Sequence, residues 1–525
     1  MTSSNLSQLR APLSVASVEH LEINDALHKI ASLVNLSSDN NSAEGAKHAL
    51  RWVKQVKRRK PPPLAGVQLE YFASNAWAVT APQKGTPRDA AWAWKQPALQ
   101  QQIFHLRLAR RHPGFEKLTP LGKCQIHTNL ANALDSLGRF VEAQENWNRA
   151  LTLVPQFGMA LGNRGLGLRS YARALYDPGH TFVVARAAYD SLQKALDAEA
   201  TYQGPYVDAK RTYAAARDHL KQKLSEHPTK HFSLDDFDLG RSKEEREHRR
   251  WCLRERLFLN PLNDVGEHSI AAKDVLHLPS YVTKIGEPPS YSGLFNQLKQ
   301  EFVAARLLLY EGLHSDRVHF ADRHVLIYNT LDYPVHSLAV EKVKASYRAA
   351  YSIFDKIAFF LNAYLRLGVP DKQITFRKLW KANPEDRRSP LRPEFEGLEN
   401  WTLRGLYWLS KDFFEEGFRD VVDPDANALS QIRNQLEHGY LKVHDPLYAA
   451  LGPQPPNMFH DPLAYHVERG DFERKALRLL KLARSGLIYL SLGMHAEERR
   501  RQDQLPDARP LAGQNLSIYP EGNKR

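Results

Sequence analysis

Residues 345–368, ASYRAAYSIFDKIAFFLNAYLRLG, carry apolar side chains on nearly every side of a helix. Tyr347, Ala350, Tyr351, Phe354, Ile357, Ala358, Leu361, Tyr364 and Leu365 recur at intervals of three and four and make one stripe. Ile353, Phe360 and Leu367 make a second. A helix apolar on most sides cannot lie on a surface, so this one predicts the centre of a bundle with helical neighbours around it. Its polar positions Arg348, Asp355 and Asn362 recur every seven residues and share one edge. Neighbours are at hand in the periodic stretches 291–313, 400–418, 423–443 and 471–501. In the third, Asp423 is placed to cap the helix and Pro424 to occupy its first turn.

The first half follows a different plan. CQIHTNLANALDSLGRFVEAQENWNRALTLVPQF, residues 124–157, places Ala131, Leu134, Gly138, Ala143, Trp147, Ala150 and Pro155 at the offsets of a tetratricopeptide repeat, which this stretch resembles. Small Ala131 and Ala143 permit close helix approach, Gly138 makes the turn, Trp147 fills the groove and Pro155 ends the second helix. Gly165 falls in the register of Ala131, and the insertion YDPGHT then breaks the spacing. One repeat cannot bury its own face, so helical neighbours are expected at 90–115 and 158–197.

The fold expected is therefore all-α, a tetratricopeptide-like helical-repeat N-terminal half followed by a C-terminal helical bundle. The boundaries expected are 1–110 for an N-terminal helical region, 111–200 for the repeats, 201–290 for a connector, 291–501 for the bundle and 502–525 for a disordered tail. The basic run KQVKRRK at 54–60 reads as a solvated helix end, terminated by Pro61, Pro62 and Pro63.

Bulk properties narrow the function. Lys and Arg number 72 against 59 Asp and Glu, a net charge of +13 that attracts polyanions such as nucleic acid. Only Cys124 and Cys252 are present, too few for a disulfide framework or a cysteine-based zinc site, and they suit a reducing cytoplasm. Without a long apolar run or a leader-like N-terminus, neither membrane nor secretion is expected. The sequence contains no phosphate-binding glycine loop, no GxSxG and no HExxH. His314, His319 and His324 stand five apart in what reads as extended chain, without clustered acidic residues, so no metal site and no cofactor are expected.

QIRNQLEHGYLKV, residues 431–443, is where chemistry concentrates. Leu429, Ile432, Leu436 and Val443 mark a buried face, leaving Arg433, Asn434 and His438 on a polar edge. Arg433 and Glu437 stand four apart and can simply pair on the outside. Alternatively, an arginine with a histidine and no metal ligands suits RNA cleavage, because RNA carries its own 2′-hydroxyl nucleophile. Arg433 and His438 are five apart, about 140° around a helix. Both serve one site only where this edge faces a partner such as a symmetry-related copy.

RNQLEH resembles the Arg-x4–6-His motif of the HEPN superfamily, in which Asn often follows the arginine. RNQLEHGY is further similar to the Arg-x4-His-x-Tyr form of HEPN toxins paired with nucleotidyltransferase antitoxins. The resemblance covers roughly 290–500, and the repeats before it fit a repeat-fused subfamily. It implies a metal-independent, dimeric endoribonuclease, a toxin or antiviral-defence effector regulated or targeted through its repeats. His438 would be the general acid/base, Arg433 the phosphate clamp and Asn434 an orienting residue, with Asp355 a supporting contact. Tyr440 would be the residue to which an antitoxin attaches AMP; a packed tyrosine with its hydroxyl in water is the structural alternative. The partners implied are RNA, a second copy through the bundle, and a protein regulator at the repeats. The competing reading is a non-enzymatic scaffold in which a degenerate bundle binds a partner or nucleotide. Nucleotidyl transfer by this chain itself is not expected, since DPD at 423–425 lacks the Gly-Ser and further carboxylate that would hold magnesium.

Overall fold

The computed structural model describes residues 13–81, 92–204, 206–226, 233–283, 286–315, 317–386, 389–414, 424–445, 461–504 and 516–524. Within them the chain forms sixteen α-helices and one two-stranded parallel ribbon. The all-α expectation holds.

Helices α1 (Ile23–Asp39), α2 (Ala43–Arg58) and α3 (Pro63–Thr80) share a core of their own around Ile30, Leu33, Trp52, Val56 and Leu69. The basic run does end α2, and its Lys57 reaches Glu70 on α3 at 2.7 Å. The prolines stop one helix and start the next, with Pro63 in the first turn of α3.

Helical hairpins then follow in series. Helix α3 pairs with α4 (Pro97–Arg111), α5 (Pro120–Ser136) with α6 (Phe140–Leu153), and α7 (Gly158–Ala174) with α8 (Pro178–Leu196). Ala131 and Ala143 are fully buried where α5 and α6 touch, and Gly138 turns between them at φ +90°. Trp147 is buried, donates to Asn132 Oδ1 at 3.0 Å and lies where a side chain at Gly167 would collide with it. The supposed insertion YDPGHT is the start of α8. Asp177 caps it, accepting from His180 N–H at 2.7 Å, and Pro178 opens its first turn. Helix α9 (Val207–Ser225) packs on α8 and α7, so the stacking runs past residue 200. Helix α10 (Lys243–Arg254) leads through irregular chain to the second half.

That half contains α11 (Ser290–Leu313), α12 (Leu338–Leu365), the single turn α13 (Pro393–Glu396), α14 (Trp401–Phe414), α15 (Pro424–His438) and α16 (Arg469–Gln504). Helix α12 is the central element its stripes predicted, touching α11, α15 and α16. Tyr347, Ile353, Phe354, Ile357, Phe360 and Leu361 are all buried. Its polar edge holds adjoining chain: Asp355 accepts from Phe376 N–H at 2.9 Å, and Asn362 bonds both backbone groups of Val369 at 3.0 Å.

One expected helix is shorter than its pattern. The helix predicted over 423–443 ends at His438, and Leu441–His444 form strand β1, paired in parallel with β2 (Tyr465–Glu468). Gln435 ends it: its Oε1 accepts from Tyr440 N–H at 3.2 Å and sits 2.0 Å from where a Cβ at Gly439 would lie. A side chain there would make the Gln435 amide swing aside and give up that bond. Val443 is buried as expected, but from a strand. The cap expected at Asp423 and residues 505–515 of the tail expected at 502–525 lie outside the described residues; helix α16 continues to Gln504, past the start expected for that tail, and 516–524 are exposed.

The two halves meet over a buried polar seam. Asp412 of α14 receives Arg107 of α4 and Arg139 at the head of α6, and Arg139 also reaches Glu142 at 2.9 Å. Tyr489 of α16 donates to Glu142 and accepts from Val141 N–H at 3.2 Å. Arg484 of α16, 1% exposed, bonds Asp264 at 2.6 Å and the carbonyls of Phe258 and Asn260. Burial drives the Asp412 carboxyl upward, but the two guanidinium groups overcome it and hold its pKa below the ordinary value.

Candidate functional site

Helix α15 lies along α12 and is pinned to it at two carbonyls seven residues apart. Tyr347 donates its hydroxyl to Leu429 O at 2.7 Å, and Arg348 donates to Leu436 O. The second bond satisfies an otherwise open carbonyl in the last turn. Leu429, Ile432 and Leu436 are buried, which turns Arg433, Asn434 and His438 outward.

Arg433 is half-buried. Its guanidinium lies 5.6 Å from the centre of the Tyr351 ring and donates to Asn434 Oδ1 at 3.3 Å. Glu437 turns to Arg348 of α12, at 3.7 Å. The outward Arg433–Glu437 pairing is therefore replaced by a contact between helices. Asn434 contacts the arginine, and His438, at the helix end, is exposed with no hydrogen-bond partner among the described residues.

Asp355 lies within electrostatic reach of Arg433. Burial raises its pKa, against the Phe376 N–H and Arg433, which both pull it down. Burial and the Asp355 charge push the Tyr351 phenol up to about 12, so it is neutral. Arg433, Tyr351 and Asp355 form one group across two helices. Tyr351 was counted in the sequence as part of an apolar stripe; its four-residue spacing from Asp355 was the available signal.

Tyr440 lies beyond the helix end, so the 200° separation that a continuous helix would impose does not apply. It is 41% exposed, its carbonyl accepts from Tyr465 N–H at 2.8 Å, and Lys442 Nζ lies 5.4 Å from its ring centre. The earlier histidines do not converge. His314 packs on Tyr310 and Trp251, His319 caps its own turn, and His324 is exposed at φ +63°.

The arrangement offers solvent a guanidinium steadied by an aromatic face and an amide, one turn and a half from a free imidazole. A guanidinium binds phosphate oxygens and an imidazole moves protons, so the edge is equipped for a phosphodiester.

Residues 282–497 match the family model described as LA2681-like HEPN. No curated protein and no solved structure matches the chain. Residues 282–497 are thus similar to a HEPN domain, a class associated with RNA binding and cleavage, and Arg433, Asn434, His438 and Tyr440 all lie inside the matched span. No helix of the described residues is long and apolar enough to cross a membrane.

Proposed function

We propose that the chain is a metal-independent endoribonuclease, a toxin or defence effector whose bundle cuts RNA and whose tetratricopeptide-like repeats regulate or target it. The observation that carries this reading is the outward edge of α15, where Arg433 is steadied by Tyr351 and Asn434 while His438 stays open to solvent. In the reaction the 2′-oxygen attacks the adjacent phosphorus, a P–O2′ bond forms and the P–O5′ bond breaks. The 2′-hydroxyl proton passes to a base and the leaving 5′-oxygen takes up a proton, leaving a 2′,3′-cyclic phosphate. His438 acts at one end of this transfer, and Arg433 neutralises the charge growing on the phosphate oxygens.

Arg433 and His438 stand about 140° apart on α15, so two copies of the bundle facing each other bring one of each to a shared cleft. Purified protein incubated with total RNA in EDTA tests the chemistry. Wild type should produce cyclic-phosphate ends and His438→Ala should not. Activity lost in EDTA and restored by magnesium or manganese contradicts the mechanism. Sedimentation should show a dimer, and a monomer cutting at full rate removes the composite site.

The second reading, a non-enzymatic adaptor, is favoured by one observation: among the described residues no group orients the His438 ring. Wild type and His438→Ala equally inert on RNA, with the fold intact, decide for it.

A further inference from the structure

A second cluster lies on the ribbon that follows α15. Strand alternation puts Lys442 and His444 on one face of β1, and the parallel register sets His466 of β2 opposite Lys442. Asp332, on the chain leading into α12, reaches the same place, and Val335 N–H donates to Val443 O at 2.7 Å beside it. Three segments distant in sequence converge here. His444 and Asp332 are buried, and His466 is half-buried.

We propose that Asp332, His444 and His466 bind a single divalent transition ion of the zinc class, which cross-links β1, β2 and the approach to α12. One ligand atom from each residue lies within 4.8 Å of the other two. Two imidazoles and a carboxylate are the donor set that zinc and its neighbours accept, with a fourth position left for water. His466 is already oriented for this. Its Nε2–H donates to the Asp461 carbonyl at 2.9 Å, which leaves the Nδ1 lone pair facing inward. That lone pair meets His444 Nε2 at 2.8 Å, the two ring planes being 17° apart. Without the ion one proton fills the gap between them. With it, that proton moves to the other His444 nitrogen, and the two ligand atoms part by about half an ångström to reach a tetrahedral angle.

The carboxylate is prepared in the same way. Asp332 Oδ1 accepts from the Thr330 hydroxyl and Oδ2 from Lys442, whose ammonium also lies 3.1 Å from Asp461. Among the described residues, the two carboxylates of Asp332 and Asp461 face the single ammonium of Lys442, which favours a cation. The ion would fix β1 directly after Tyr440, and so the end of the helix that carries His438. This inference is independent of the proposed cleavage, because its readout is metal binding.

The test uses tag-free, full-length protein stripped with a chelator, dialysed, and titrated with Co2+ as the probe. One equivalent per chain should bind, with visible d–d bands that Zn2+ abolishes, and zinc should raise the melting temperature. His444→Ala and His466→Ala should each weaken Co2+ binding at least about tenfold, while His319→Ala and His324→Ala bind as wild type does. Should alanine at either position lower helicity, His466→Gln provides the comparison in a folded chain. Wild type that takes up no stoichiometric cobalt or zinc at micromolar concentration overturns the proposal. So does undiminished binding in the folded His444 and His466 variants.

Discussion

Arg107 of α4 grips Asp412 of α14 with both terminal nitrogens, at 3.0 and 2.9 Å, across 305 residues of sequence. Arg139 adds a second guanidinium to the same carboxylate, and all three groups are buried. Asp412→Ala would leave two buried cations facing a void. The expected loss of stability is about 3–5 kcal/mol, read by chemical denaturation. A loss below about 1 kcal/mol would mean that this carboxylate does not hold the halves together.

The same seam has no room for one added carbon. A Cβ at Gly405 would stand 2.2 Å from the Gly138 carbonyl oxygen, and one at Gly138 would stand 1.9 Å from the Trp401 carbonyl. Both obstacles are backbone. Gly405→Ala should cost about 1–3 kcal/mol through overpacking. At Gly486, also in a buried helix, a new Cβ meets side-chain carbons of Ile357 and Phe354 at 3.1 and 3.5 Å, so Gly486→Ala should cost less. Melting temperatures that rank the two the other way contradict this account.

Asp135, on α5, gives a pH signature. The residue is partly exposed, but its Oδ1 is sealed from solvent with no hydrogen-bond partner among the described residues. Burial alone lifts its pKa to about 7. The folded state thus holds a proton that the unfolded chain loses near pH 4. Stability should fall as pH rises between those values and level off above 7, at about 1.4 kcal/mol per pH unit in between. Asp135→Asn, which keeps the shape without the charge, should raise the melting temperature at pH 8 and change it little at pH 4. Equal effects at both pH values would refute the assignment.

At α15, activity and stability should separate. His438 is exposed, so His438→Ala should change stability by less than about 0.5 kcal/mol while lowering cleavage by about 10²–10⁴. Arg433→Ala should lower cleavage and also cost about 0.5–1 kcal/mol, because it removes the contact over Tyr351. Arg433→Lys should not restore cleavage, since a point charge cannot reproduce the planar fork. A variant as active as wild type at either position removes that residue from the chemistry.

Tyr440→Phe should leave cleavage within about twofold, since the ring stands beyond the helix end, and should abolish silencing by any partner that attaches AMP there. Intact-mass spectrometry after co-expression with such a partner reads the modification directly. Loss of cleavage in a folded Tyr440→Phe chain would make the phenol catalytic instead.

The features readable in the sequence are those with short periods. The all-round apolar stripes of α12, the Gly138 turn between α5 and α6, and the Arg433–Asn434–His438 spacing each lie within one or two elements. Gly439 stands in the sequence too, but a lone glycine does not say whether a helix loosens or ends there; in the structure the helix ends at His438. The contacts that read poorly are those between distant elements. Nothing local joins Tyr351 to Arg433, or Glu437 to Arg348. The Asp332–His444–His466 cluster was missed for the same reason: two parallel strands bring it together, and the stretch holding one of them was read as helix.

The distance from Arg107 to Asp412 also orders events during synthesis. At ~5–20 residues per second, the carboxylate leaves the ribosome roughly 15 to 60 seconds after the arginine it meets. Arg484 and Tyr489, which fasten α16 to the first half, follow later still. The helix carrying Arg433 and His438 therefore gains its last support only when translation is nearly complete. A chain abandoned before residue 484 has the motif without the helix that backs it, so a prematurely terminated product should be inert.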